Sequence, residues 1–203
     1  YVKKIDKKNI SLEEVEKLFF TRLWIFSGAL TSYEKDKTFR LTQLAKALFA
    51  IVDSILIDKN NYQSLYVKKK EKVKLLIDDE FFMIIDWALE QRSQPKDYIE
   101  INDTLKYDED YLTIFTAKMY RLYFLKILSK KYNKSFKTIE DFRKFYLCSY
   151  KVRIKRILYH LIKRKSYRYE INKMNSFMVK LSLILGEISE DEGKSILLKN
   201  KLL

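Results

Sequence analysis

Apolar residues recur along this chain at intervals of three and four, the period of an amphipathic helix. Leu12, Val15, Phe19, Leu23, Phe26 and Leu30 mark a first helix over about 12–31, broadened by Phe20 and Trp24. Ser11 and Glu14 have the spacing of a capping box at its start. A second helix is predicted over 39–57. Leu41, Leu44, Leu48, Ile51 and Ile55, with Phe49 and Val52, make it apolar around much of its circumference, so it belongs in the middle of a bundle. The third stretch, 64–92, opens with Lys68, Lys69 and Lys70 and turns apolar through Phe81, Phe82, Ile84, Ile85, Trp87 and Leu89. A break is expected near Asp78, which would cap a separate helix.

Residues 93–108 hold the single proline, Pro95, and form the longest connection, with Tyr98-Ile99-Glu100-Ile101 as a short extended piece. A helix over 109–131 takes Leu112, Phe115, Met119, Leu122, Tyr123, Leu125 and Ile127 as its core side, with Lys118, Arg121, Lys126, Lys130 and Lys131 as its charge. The next begins after Thr138, capped there with Asp141 three residues on, and is read as one long helix ending in Lys163-Arg164-Lys165-Ser166-Tyr167-Arg168-Tyr169. A helix over 171–185 presents Met174, Phe177, Met178, Leu181 and Leu185, and Ser189 with Glu192 caps a short last helix ending near Asn200.

The chain has three Gly and one Pro, where average usage in 203 residues would give about 14 and 10. Sheet-rich folds use such residues in turns, so the pattern predicts an all-α bundle of about six or seven helices. It divides into a helical part over 1–92, the connection over 93–108 and a second helical part over 109–203. No run reaches the ~18 apolar residues of a membrane span; the best, 44–57, contains Lys46 and Asp53 and reads as a buried helix. One cysteine excludes an intrachain disulfide and points to an intracellular home, cytoplasmic or with the nucleic acid of nucleoid or nucleus. No signal peptide is read at the start, and an opening Tyr1 in place of Met leads us to expect native residues before it.

Charge changes the picture. The net +14 is unevenly spread: residues 1–110 hold 19 basic and 20 acidic side chains, residues 111–203 hold 22 and 7. Residues 142–169 carry ten Lys or Arg and no Asp or Glu. Such self-repulsion calls for counter-ions or an anionic partner. The stretch 78–110 is the opposite, with 11 acidic and 3 basic residues that would face the basic half or a different partner.

At about 100° per residue, Tyr150, Ile154, Ile157, Leu158 and Leu161 gather on one side of the basic helix. Arg153, Arg156, His160, Lys163 and Arg164 gather beside them, and Lys151 and Lys155 lie on another sector. Rails of this kind can follow the regular phosphates of a nucleic acid, DNA or RNA, with arginine adding bidentate geometry. At the end of the stretch Lys165, Tyr167, Arg168 and Tyr169 interleave cations with rings able to stack on unpaired bases. Lys118, Arg121 and Lys126 extend the candidate surface.

Arg153 and His160 also stand seven residues apart on one helical face. That spacing resembles the Arg-x4–6-His signature of the HEPN ribonucleases, an all-α family. The resemblance implies a His and an Arg acting at a scissile phosphate in a site shared by two protomers. It covers this helix alone, and Ile154 stands where that family often has Asn.

No metal or cofactor is called for. One His and one Cys do not make a zinc set, and no glycine-rich phosphate loop occurs. Asp78, Asp79 and Glu80 read as a helix start, and Cys148 as a buried structural thiol. The residues therefore point to a non-catalytic nucleic-acid-binding subunit or accessory protein of a larger protein assembly, with little sequence specificity. The alternatives are a scaffold docking on an acidic protein, and the HEPN-like nuclease.

Overall fold

Short polar side chains set the helix starts. In the computed structural model, which describes residues 10–31, 36–101, 107–148 and 166–201, the described residues form eight helices and no strand. These are α1 (Leu12–Thr31), α2 (Lys37–Asp58), α3 (Tyr66–Val73), α4 (Asp79–Ser93), α5 (Glu109–Tyr132), α6 (Ile139–Cys148), α7 (Ser166–Ile184) and α8 (Glu190–Lys201). The Glu14 N–H donates to Ser11 Oγ at 3.3 Å, that of Phe81 to Asp78 at 2.7 Å, and that of Glu192 to Ser189 Oγ at 3.2 Å. Thr138 and Asp141 cap reciprocally, each side chain accepting the other's backbone N–H at 3.0 Å. The break at Asp78 is real, and it accounts for α3 and α4 as separate helices. Residues 98–101 lie in an irregular connection and not in a strand. The turn at Pro95 is tied down by Gln91, whose amide accepts from the Lys96 N–H at 3.1 Å and donates to its carbonyl at 2.8 Å.

Helix ends use asparagine where glycine is scarce. Asn60, Asn133 and Gly186 all hold positive φ. At each, the next residue's N–H reaches back to a carbonyl five residues earlier, from Asn61, Lys134 and Glu187 respectively.

The chain forms two compact units, Tyr1–Lys134 and Ser135–Leu203. The connection 93–108 thus lies inside the first unit, and α5 packs with α1 and α2. The first unit is built around α2, as its all-round apolar pattern predicts. Leu41, Leu44, Leu48, Ile51 and Ile55 are all buried, and α1, α3, α4 and α5 pack around them. Between α1 and α5 lies an aromatic seam. Phe19 meets Tyr120 and Phe124 edge-on at 5.1 and 5.4 Å, and the buried Tyr120 hydroxyl donates to the Phe19 carbonyl.

The phase of α5 differs from expectation. Leu112, Phe115, Leu125 and Ile127 are buried, but Leu122 is exposed, while Tyr120, Phe124 and Leu128 take the deepest places. Apolar residues occur all round this helix, so periodicity alone does not choose the buried face.

In the second unit α7 packs against α6 and α8. Ile139, Phe142, Phe177, Met178, Leu181 and Ile188 form its core. Inside it, Arg143 makes a two-pronged ion pair with Glu140 and donates to Asn175 Oδ1 at 2.8 Å, joining α6 to α7. Both ionic side chains are under one tenth exposed. Removing one partner of such a pair costs about 3–5 kcal/mol, because the other charge stays buried. Arg143→Ala should therefore melt the second unit well below the first in differential scanning calorimetry. Arg143→Met combined with Glu140→Gln should recover most of the loss.

Candidate polyanion-binding surfaces

Three of the candidate cations lie on α5 in the first unit. Lys118 is exposed and Arg121 partly buried. Lys126 is half-exposed, but its Nζ donates to Asp58 at 3.1 Å, and Lys130 reaches the same carboxylate at 3.0 Å. One turn on, Lys131 pairs with Glu16, which also accepts from the Tyr132 hydroxyl at 2.6 Å. At the other end, Glu109 holds Arg40 of α2 through two bonds of 2.6 and 3.0 Å. Much of the charge on α5 therefore stitches it to α1 and α2. Tyr111, Ile114, Lys118 and Leu122 share its outward face at spacings of three and four, so that face alternates apolar and basic groups.

Burial alone would raise the Asp58 carboxyl, but the hydrogen bonds and charges of Lys130 and Lys126 outweigh it and hold the pKa below the usual carboxylate value.

The remaining candidates belong to the second unit. Lys151, Arg153, Lys155, Arg156, His160, Lys163, Arg164 and Lys165 lie outside the described residues, as does the Arg153–His160 pair on which the HEPN resemblance rests. Tyr167, Arg168 and Tyr169 fall in the first turn of α7 instead of at the end of the preceding helix. Their side chains lie outside the described set. The position matters physically, since a cation in a first turn opposes the helix dipole, where one in a last turn complements it.

The described carboxylates of this unit have local tasks. Glu140 serves Arg143 and, at 3.5 Å, Lys144. Asp141 caps α6, accepting from Lys137 and Thr138, which helps hold it ionised below its usual pKa against desolvation. Glu187 accepts from the Ile139 N–H at 2.9 Å and from Ser182 at 3.3 Å. Glu190, Asp191 and Glu192 occupy the first turn of α8, and Glu190 also meets Lys194 at 3.6 Å.

Asp78, Asp79 and Glu80 do form a helix start. Among the described residues no group of three or more His, Cys, Asp or Glu is placed to hold a metal ion. Cys148 is exposed and not a buried structural thiol; it lies on the polar side of α6, whose apolar members Ile139 and Phe142 fill the core. Among the described residues no helix is long and apolar enough to cross a membrane.

Sequence reasoning missed one polar cluster. Asp53 of α2 accepts from Lys69 of α3, whose side chain is 5% exposed. The Lys69 Nζ lies 4.8 Å from the Tyr62 ring centre and 5.1 Å from that of Tyr66. Arg92 lies over Tyr66 at 4.6 Å and over Phe49 at 5.6 Å. Burial pushes the Asp53 carboxyl up; Lys69, and then Arg22 and Arg92, pull against that. The signal was an aspartate inside an apolar run, but its partner sixteen residues on follows no helical spacing.

No protein-family model matches the chain, and no curated protein or solved structure is similar enough to identify a relative.

The depressed Asp58 value gives a pH dependence. A carboxylate whose folded pKa is lowered contributes stability above its unfolded pKa of about 4, and loses it as pH falls through the folded value. Asp58→Asn should cost about 1 kcal/mol at neutral pH, where its exposed lysines are screened by water. By urea denaturation at a series of pH values, the difference from wild type should vanish at the acid end.

Proposed function

We propose that this protein binds the phosphate backbone of a nucleic acid through the basic stretch of its second unit, without catalysis and with little sequence specificity. One observation supports this reading. Residues 135–203 hold 16 basic and 7 acidic side chains, and the six described carboxylates are directed to α6 and α7 or sit at the start of α8. The eight Lys and Arg of 151–168 have only Glu170 beside them in sequence. In this reading their charge is met from outside the unit, by a regular polyanion that releases condensed counter-ions. In this reading Arg153, Arg156, Lys163 and Arg164 hold phosphate, and Tyr167 and Tyr169 stack on unpaired bases.

A second reading draws on the outward face of α5. Exposed Tyr111, Ile114 and Leu122 around Lys118 suit an acidic protein surface with apolar anchors, which is how such a protein would join a larger assembly.

A salt titration separates the two. Affinity for duplex DNA or RNA should fall by about 0.9 log units per log unit of salt for each phosphate contacted. Changing Arg153, Arg156 and Arg164 together to Glu should abolish that slope with the helical circular dichroism unchanged. Lys118→Glu should leave the slope nearly intact and weaken protein docking instead. His160→Ala should leave binding unchanged; RNA cleavage lost in that variant would favour the HEPN-like alternative.

A further inference from the structure

Helix α3 is held in an unusual way. It has eight residues, no side-chain cap and no acidic residue in its first turn. Lys68 and Lys69 in its first turn oppose the helix dipole while Lys70 and Lys72 in its last turn suit it, and eight uncapped residues make a poor helix on their own. Its two buried residues are Val73 and Lys69. It is fastened to the unit by two ion pairs, Lys69 to Asp53 of α2 and Lys70 to Asp86 of α4, beside a small apolar anchor of Val73 and of Tyr66, which meets Phe49 edge-on at 4.9 Å and lies under Arg92 at 4.6 Å. The groups facing Asp53 are Lys69 from α3, Arg22 from α1 and Arg92 from α4. Arg22 and Arg92 act on that carboxylate by charge alone, and Lys69 is the partner that bonds it. Outward, Lys68, Lys72 and Lys74 are exposed, with Glu71 the one acid among them, and Leu65, Val67 and Leu75 are more than half exposed.

We propose that α3 is an ionic latch, closed by Asp53 and Asp86, which a phosphate polyanion opens by competing for Lys69 and Lys70. In the closed state the polyanion meets three lysines of the segment 68–74; in the open state it meets five. A ligand that binds the open form better shifts the equilibrium by that difference in affinity. This surface lies in the first unit and does not rest on the basic stretch of the second.

The test uses the full chain, hydrogen exchange and inorganic polyphosphate as the probe. Asp53→Asn leaves Lys69 buried without its charge partner, so exchange at residues 66–76 should rise at least about tenfold while α5 stays protected. Adding Lys69→Met to that variant should close the latch again, because two neutral groups of similar shape replace the pair. Asp53→Asn should also bind polyphosphate at least about threefold more tightly than Asp79→Asn, which removes the same charge from an exposed position. Should Asp53→Asn fail to fold, Asp86→Asn, at a half-exposed site, tests the other fastening in the same two ways. Unchanged exchange in α3, or an affinity no better than that of Asp79→Asn, overturns the latch.

Discussion

The exclusion of water from α2 governs the first unit. A 22-residue helix with fourteen buried residues cannot sit at a surface, so its neighbours must close around it. α1, α4 and α5 do so with aromatic and aliphatic side chains, and α3 covers part of what remains. Phe19, Phe26, Tyr120 and Phe124 supply large rigid rings where α1 meets α5. This close packing explains how a chain with so few turn residues folds: long helices enclose a core, and asparagine supplies two of the three left-handed helix ends.

Polar groups around that core are committed mostly by charge. Asp58 and Glu16 gather the lysines at the end of α5, and Arg40 and Glu109 fix its start. Such pairs add modest stability where exposed, yet they set the rotation of a helix whose apolar pattern does not. In the second unit the Glu140–Arg143–Asn175 network performs the same task inside the core, where an unpaired member is costly. In sequence, residues 142–169 carry ten Lys or Arg and no Asp or Glu. The proposed function follows from that imbalance.

The two halves of the molecule thus treat lysine differently. On α5 it is mainly a fastening, matched to particular carboxylates, and on α3 Lys69 and Lys70 serve in the same way. Residues 142–169 themselves contain no acidic side chain. A fastening made of charge differs from one made of apolar surface because another anion can compete for it. On α3, whose apolar anchors are few, that competition is the basis of the proposed latch.

The sequence by itself determined the helical class, four of the helix starts and the core of α2. Ser11, Asp78, Thr138 and Ser189 declare caps through bonds that span only a few residues, and a helix apolar on nearly all sides has one place to go. Uneven charge was equally legible, and the proposed function rests on it. Only the tertiary structure decided that Leu122 faces outward, that Lys126 serves Asp58, that Ser166–Tyr169 begin α7 and that Lys69 is buried on Asp53. The pairings of Lys126 and Lys69 join residues at separations that no helical period encodes.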